Sequence, residues 1–227
     1  MRTDDRTLLR LHVEAVWGVQ LPPIERNELT LLLAGGRPDW RLCAADIAEG
    51  RVYIWRPGVK PEEREELLSR LRAMPTLPAG STSPRGISRE VAFRLEATPA
   101  ITLEAAGQIT RLLTPDDYML IETFEPGSAA SYLKAECRPL IGVVVNGRLL
   151  SVAHSSRRTT EACELGVNTL PQARRRGYAL AATIAWSAAI EREELVPIYS
   201  ALAENTASLN LAVAAGYRAF ARAVTLE

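Results

Sequence analysis

The sequence contains few cysteines, and their spacing offers no framework for cross-linking. Three are present among 227 residues, at Cys43, Cys137 and Cys163. Their number is odd and no two of them form a Cys-x-x-Cys pair, so we expect neither a disulfide framework nor a zinc site. Free thiols of this kind are typical of a reducing compartment. We therefore predict a cytoplasmic protein that requires no metal.

The sequence also lacks a surplus of positive charge and any long apolar run. Lysine plus arginine and aspartate plus glutamate both total 27, so the formal net charge is zero. A general nucleic-acid binder needs a basic surplus, and we expect no such partner. No run approaches the roughly 20 apolar residues of a transmembrane helix, and the mixed charges of residues 1–18 are unlike a signal peptide. We expect no membrane partner either.

A stretch rich in proline, glycine, serine and threonine, residues 75–84, divides the chain into two parts. This composition is typical of a loop or linker. No catalytic motif precedes it, so we interpret residues 1–104 as an accessory or substrate-shaping α/β domain. Apolar periodicity and β-prone runs predict four elements before residue 75: helices over 6–19, 23–33 and 61–74, and a strand over 51–55.

Residues 105–227 alternate between strand and helix signals, and we interpret them as a second domain. Asn146 and Gly147 separate two runs rich in valine and leucine, which predicts a β-hairpin. Residues 177–190 carry no charge and many alanines, which predicts a buried helix. This order of elements predicts a mixed α/β sheet. The other predicted elements are strands over 109–113, 162–170, 196–200 and 219–226, a helix starting at Thr114, and helices over 128–137 and 205–215.

Three arginines and a glycine, Arg174 to Gly177, stand immediately before the buried helix. Glycine lets a backbone approach a ligand closely, and the free N–H groups of a first helical turn bind anions. Arginine adds bidentate contacts to phosphate. The turn matches neither the phosphate-binding GxxxxGK[ST] motif nor the dinucleotide fingerprint GxGxxG. Taken alone, it is either a phosphate cradle or a solvated basic turn.

Neighbouring segments favour the phosphate cradle. Arg174-Arg175-Arg176-Gly177-Tyr178-Ala179 matches R/Q-x-x-G-x-G/A and resembles the signature of the GNAT superfamily of acyl-CoA-dependent N-acyltransferases. ITRLLTPDD resembles the family's opening strand and first helix, GVNTLPQARRRGYA its fourth strand, pyrophosphate loop and third helix, and ENTASLNLAVAAGY its segment near the C-terminus. The resemblance extends over residues 109–227. It implies a mixed, mostly antiparallel GNAT-type sheet flanked by helices, with residues 1–104 as an additional N-terminal α/β region.

The resemblance also implies an activity: an enzyme that moves an acetyl group from acetyl-CoA, the acyl-donor substrate, to a primary amine. The acceptor would be a small-molecule or peptide amine, and a homodimer is compatible with this interpretation. Backbone groups of Val167, Asn168 and Thr169 would hold the pantetheine arm and the acyl group. Asn205 and Ser208 would contact the pantetheine or the adenosine end, although Asn205 could also be a plain helix cap. The pyrophosphate would lie against Arg174, Arg175, Arg176, Gly177, Tyr178 and Ala179.

Two residues are candidates for the general base that removes the amine's proton. Glu164 lies on the strand that would meet the acyl group, and the alternative is a carboxylate paired with an arginine. His154 lies near the end of the preceding strand and titrates in the useful range, and the alternative is a structural histidine. Family members commonly supply a tyrosine as the acid, but Ala212 stands at that position. Water, Tyr217 or Tyr199 could substitute, or the thiolate could leave unaided.

A different class of function stays open. The chain could bind acyl-CoA without chemistry, as a sensor or scaffold, and the alanine at position 212 is compatible with this alternative. An intact cofactor loop favours neither class. Turnover against a library of amines separates the two.

Overall fold

In the computed structural model, residues 3–32, 38–75 and 80–227 are described, and the chain divides into two compact units. The first unit consists of Met1–Arg94, Ser200–Leu209 and Ala219–Glu227, and the second of Leu95–Tyr199 and Asn210–Arg218. The first unit therefore includes segments from near the C-terminus. The predicted assignment of an accessory role to residues 1–104 stays a prediction.

The first unit combines helices with a five-stranded group of strands. In spatial order the strands run β1-β3-β2-β10-β4, with β1 parallel to β3, and with β2 antiparallel to both β3 and β10. Its elements are α1 (Asp5–Trp17), β1 (Glu28–Thr30), β2 (Leu42–Ile47), β3 (Gly50–Trp55), α2 (Pro61–Ala73), β4 (Ile87–Leu95) and most of β10 (Tyr217–Leu226).

Local signals in the sequence explain both helices of this unit. The Asp4 side chain accepts a hydrogen bond from Thr7 N and caps α1, while Gly18 ends it in the left-handed conformation. Pro61 opens α2, with acidic residues in the first turn that complement the helix dipole. The apolar stripe of α2 packs into a core cluster formed by Leu42, Ala44, Trp55, Val59, Leu67, Leu71 and Leu226.

The second unit contains the hairpin and the buried helix. Its strands follow the spatial order β9-β8-β7-β6-β5, in which only the β8–β9 pair is parallel. Its elements are α3 (Leu103–Gly107), β5 (Thr110–Leu112), α4 (Tyr118–Phe124), α5 (Ala129–Tyr132), β6 (Ile141–Val145), β7 (Arg148–Arg158), β8 (Ala162–Thr169), α6 (Tyr178–Arg192), the first part of β9 (Val196–Leu202) and the end of α7 (Thr206–Ala214).

Helices cover both faces of this sheet. Helix α6 contacts β6, β7 and β8, and the Trp186 indole donates a hydrogen bond to Ser155 Oγ at 3.4 Å. On the opposite face, α4 and α5 pack with Leu140, Leu149 and Val152 in one apolar cluster. The charge-free run over residues 177–190 correctly predicted burial: Ala181, Ala182 and Trp186 are 0% exposed. Among the described helices, none is both long and apolar enough to span a membrane.

Two predicted helices were wrong. Over the described residues 23–32 the chain forms no helix but strand β1, because Glu28, Leu29 and Thr30 pair in parallel with Tyr53, Ile54 and Trp55; Leu33 lies outside the described residues. The helix predicted over 128–137 breaks after Tyr132 into α5 and a 3-10 turn at Ala135–Cys137, since Lys134 leaves the helical conformation with φ −60° and ψ 151°.

Strands β2 and β4 were missed by the sequence analysis. Both strands are identified in the structure by their pairing with strands from other parts of the chain. The predicted linker over 75–84 is described only at Pro75 and from Gly80 onward, and residues 76–79 lie outside the described ranges.

Gly216 yields a prediction for stability. Its φ is +91°, and an added Cβ would overlap the carbonyl oxygen of Ala97. We expect Gly216→Ala to lower the free energy of unfolding by about 2–4 kcal/mol, from backbone strain plus the clash. Gly147→Ala is the matched control, because Gly147 has φ +71° but no atom within 4 Å of the added Cβ. Its cost should be about 1 kcal/mol. Equal losses in urea unfolding would contradict the role of the Ala97 contact.

Candidate acyl-transfer site

The parallel pairing of β8 with β9 ends early. The paired residues are Ala162 with Val196, Cys163 with Pro197, and Glu164 with Ile198, whereas β8 itself continues to Thr169. Beyond Glu164, the edge of β8 is therefore released from β9. Main-chain donors and acceptors on such an edge are available to an extended ligand.

The register with β7 decides which main-chain groups point to this open edge. Leu170 N donates to Leu150 O at 3.0 Å, so this pair is a hydrogen-bonded one. Hydrogen-bonded and non-bonded pairs alternate in an antiparallel ladder. Asn168 therefore turns its backbone groups toward β7, while Val167 and Thr169 turn theirs toward the open edge. The carbonyl of Asn168 also accepts a hydrogen bond from Ser151 Oγ at 3.1 Å.

The arginine turn connects β8 to α6. After a 3-10 turn at Pro171–Ala173, Arg175 and Gly177 both adopt left-handed conformations, with φ of 58° and 78°. No side chain caps α6, and the first intrahelical bond runs from Ala181 N to Gly177 O. The backbone N–H groups of Tyr178 and Ala179 accordingly have no acceptor within the helix.

The arginines of the turn are available to a ligand. Arg174, Arg175 and Arg176 are all exposed, and none forms an ion pair with a carboxylate in the described ranges. Three cations without an ion-pair partner among the described residues, next to uncapped N–H groups, make this turn a candidate site for an anion. An added Cβ at Gly177 would meet open space, so the glycine is required by its conformation and not by crowding.

His154 lies on the face of the sheet opposite α6. It is paired with Gly166, and a Cβ at Gly166 would overlap the imidazole, with Cε1 2.6 Å away. The ring also meets Tyr132 edge-to-face, with ring centroids 4.9 Å apart. Burial lowers the pKa of His154 below its ordinary value of 6.5, although the negative charge of Glu125 acts in the opposite direction. The imidazole is therefore neutral at pH 7.

Glu164 shares this face of the sheet, because residues 164, 166 and 168 alternate with residues that point toward α6. Its Oε2 accepts a hydrogen bond from Ser156 Oγ at 3.2 Å. The two candidate bases thus lie on one face of neighbouring strands, beside the released edge of β8.

Three residues next to His154 form a hydrogen-bonded set that the sequence analysis missed. Tyr132 Oη donates to Glu125 Oε2 at 2.8 Å and accepts from Asn168 Nδ2 at 2.6 Å. Asn168 Nδ2 also approaches Glu125 Oε2 at 3.3 Å. We call these residues the Glu125 cluster. Its members come from the end of α4, from α5 and from β8, so no short motif could have predicted their meeting.

The residues considered as alternative acids are buried. Tyr217 is 1% exposed and shares a hydrogen bond of 2.7 Å with Ser187 Oγ. Burial raises its pKa. Tyr199, whose ring lies 5.4 Å from that of Tyr217, is 2% exposed. Both tyrosine side chains are therefore buried in the core.

The remaining residues of interest have structural contacts. Asn205 Oδ1 accepts a hydrogen bond from Ser208 N at 3.1 Å and so caps α7, as the plain alternative predicted. A second role of both residues at the cofactor stays a prediction. Cys163 is fully buried, and burial raises its pKa to about 11, so this thiol is unreactive. In the described part of the chain, no three histidine, cysteine or carboxylate side chains form a group that could hold a metal ion.

Comparison with known proteins agrees with this architecture. Residues 140–222 match the family model of GNAT acetyltransferases. A GNAT-family acetyltransferase from Colwellia psychrerythraea is 16% identical, with 77% of this chain and 75% of that chain covered and a TM-score of 0.51. A putative GNAT-family acetyltransferase from Novosphingobium aromaticivorans is 21% identical, with 66% and 70% covered and a TM-score of 0.49. No curated protein matches the chain.

The sheet and its flanking helices define an α/β domain with the GNAT fold. Residues 140–222 match the GNAT family model, as the motifs of the C-terminal half predicted, and the sheet has the fold of a GNAT-family structure. The predicted fold class, a mixed and mostly antiparallel sheet flanked by helices, is likewise confirmed. Identities this low establish the fold and not the substrates.

The contact between His154 and Gly166 generates a prediction. Gly166→Ala places a methyl group inside the imidazole and should lower the free energy of unfolding by about 1–3 kcal/mol. Removing the ring with His154→Ala makes room for that methyl group. The double variant should therefore be more stable than the sum of the single losses implies, by at least about 0.5 kcal/mol. Denaturant unfolding of the wild type, the two single variants and the double variant measures this coupling. Strictly additive losses would show that the position of the imidazole does not depend on the missing side chain at Gly166.

Proposed function

We propose that this protein is an N-acyltransferase that moves an acetyl group from acetyl-CoA to a primary amine. The observation that carries the proposal is the continuity of two features. The released edge of β8 is followed by a 3-10 turn and by three arginines that form no ion pair within the described residues, and these precede a helix without a side-chain cap. One ligand with an extended polar arm and a pyrophosphate, as in acetyl-CoA, would satisfy both.

In this proposal the pyrophosphate binds at Arg174 to Ala179 and the pantetheine arm lies along β8. Arg174, Arg175 and Arg176 supply charge, and the N–H groups of Tyr178 and Ala179 supply hydrogen bonds. Val167 and Thr169 pair with the arm through their open main-chain groups. Asn205 and Ser208 are proposed to contact the pantetheine or the adenosine end.

The reaction requires few groups from the protein. The lone pair of a neutral amine attacks the thioester carbonyl carbon, and the oxygen gains negative charge. We assign the stabilising N–H to Val167, since the register directs the N–H of Asn168 into the sheet. The amine's proton passes to a base, the C–S bond breaks, and the thiolate leaves. Glu164 and His154 are the candidate bases.

Binding of acyl-CoA without transfer is the second candidate function. It is favoured by the two residues considered for the acid: Ala212 stands where family members commonly supply a tyrosine, and Tyr217 is hydrogen-bonded inside the core. Release of free thiol from acetyl-CoA in the presence of a library of primary amines decides between the two functions. Amine-dependent release supports the enzyme, and tight binding without release supports the sensor.

Acetyl-CoA binding should depend on the arginine turn. Gly177→Glu adds negative charge where the pyrophosphate is proposed to lie, and calorimetry should find no binding in a folded variant. Arg174→Ala keeps the backbone and should weaken binding about tenfold or more, because hydrogen bonds to charged groups contribute about 1.5–3 kcal/mol. The control is Arg148→Ala, which removes an exposed arginine at the β-hairpin. Unchanged affinity in both folded turn variants would place the pyrophosphate elsewhere.

The general base can be identified by kinetics. Glu164→Gln or His154→Ala should reduce kcat about a hundredfold or more if that residue removes the proton. Higher pH should partly rescue the affected variant, since an alkyl amine with a pKa of about 10.4 is increasingly neutral there. If His154 is the base, wild-type activity falls only below its lowered pKa, under 6.5. Wild-type rates in both variants would leave proton removal to solvent.

A further inference from the structure

The Glu125 cluster has no task in the acetyl-CoA site proposed above. Its centre is Tyr132, which is 6% exposed and whose hydroxyl both donates to Glu125 and accepts from Asn168. A phenol with both hydrogen-bonding roles occupied stays protonated, and burial raises the pKa of Tyr132 further in this direction. The cluster therefore holds Oε2 of Glu125 in a fixed position.

Glu125 is nevertheless open to a ligand. It is exposed, and no lysine, arginine or histidine in the described ranges forms an ion pair with it. The described residues offer hydrogen bonds only to Oε2, which leaves Oε1 free. A carboxylate oriented by two neutral donors is prepared to bind a cation.

Glu122, about one helical turn before Glu125, is a carboxylate with a structural role and serves as a comparison. Its Oε1 accepts from Gly127 N at 2.7 Å and its Oε2 approaches Ala129 N at 3.4 Å, so both oxygens hold the turn between α4 and α5. Glu125 makes no comparable contact with the main chain through its side chain. Tyr132 and Asn168, which lie outside the turn, orient the Glu125 carboxylate.

The Glu125 carboxylate lies beside the proposed acyl site on β8. Asn168 follows Val167 directly, and its side chain points to the same face of β8 as Glu164 and Gly166. The amide of Asn168 stands between the β8 backbone and Glu125. The Asn168 side chain would thus separate a nitrogen held by Glu125 from the β8 backbone, so we take it to be a different nitrogen from the one that attacks a carbonyl bound at Val167.

We propose that Glu125 binds a second ammonium group of the acceptor, so that the preferred acceptors are diamines or polyamines. Tyr132 and Asn168 are positioning residues for this carboxylate. The inference rests on the proposed function, because it assumes that the first amine is acetylated at the edge of β8.

The test compares linear α,ω-diamines with linear monoamines of equal carbon number as acceptors for the full-length protein. Glu125→Gln keeps the shape and the hydrogen bonds but removes the charge. It should raise KM for diamines at least about tenfold, and change KM for monoamines less than about twofold. The affinity for acetyl-CoA and the kcat for diamines should stay unchanged. Glu191→Gln, an equal charge loss at an exposed position near the end of α6, should alter none of these values.

A role of the cluster in stability alone would not change the ratio of KM values. Tyr132→Phe keeps the charge but frees the carboxylate, so it should weaken diamine selectivity less than Glu125→Gln does. Equal changes of KM for both classes of amine would overturn the proposal, as would a wild-type protein without preference for diamines. A fall of kcat for both classes would also overturn it, since that result makes Glu125 the base.

Failure of the proposed function can be recognised separately. If the wild-type protein acetylates no amine, calorimetry of a diamine with the CoA-loaded protein still reports on the site. Binding that Glu125→Gln abolishes would support the ammonium site while rejecting acyl transfer. Equal binding by wild type and variant, or no binding by either, would overturn the site itself.

Discussion

The early end of the β8–β9 pairing is the constraint on which the proposed site depends. Main-chain N–H and C=O groups are obligatory hydrogen-bonding groups, and a strand edge without a partner is costly if it is also closed to water. Past Glu164, the main-chain groups of Val167 and Thr169 turn toward the released edge, and both residues are only half-buried. A ligand that pairs with the edge would recover those hydrogen bonds, so the gap in the β8–β9 pairing and the proposed binding site are the same feature.

Helix α6 extends this constraint to its own first turn. Its small residues let it pack closely on β7 and β8, and Trp186 fixes it to Ser155. The buried face of the helix fixes the position of its N-terminus, where no described side chain forms a cap. The uncapped N–H groups and the left-handed Gly177 stay where β8 ends. The three arginines therefore place their positive charge at the N-terminus of α6, whose position is determined by packing.

The other face of the sheet carries the polar chemistry. Gly166 has no side chain, and the space is filled by the ring of His154, which in turn rests against Tyr132. Tyr132 orients Glu125, and Asn168 closes the set. Burial keeps His154 neutral while Glu125 remains exposed to solvent. An amine acceptor would therefore meet a neutral imidazole and a fixed negative charge within one small region.

Local sequence determined much of the second unit. Asn146-Gly147 set the hairpin because that dipeptide readily adopts positive φ, and the charge-free run of α6 announced burial because no charged group there would have to be desolvated. The arginine turn was identifiable for the same reason: each residue of its motif lies within six consecutive positions. Such features depend on neighbours in the chain, which a sequence displays directly.

Tertiary structure decided the rest. Strand β1 replaced a predicted helix because residues some 25 positions later, Tyr53 to Trp55, offered a pairing edge that local propensity cannot weigh. The released edge of β8 depends on where β9 stops pairing, and the assignment of Val167 over Asn168 depends on register with β7. No local pattern in the sequence predicted a role for Glu125 and Tyr132, because their partner Asn168 lies more than 30 residues further along the chain. Contacts of that range are set by packing, and packing exists only in the folded chain.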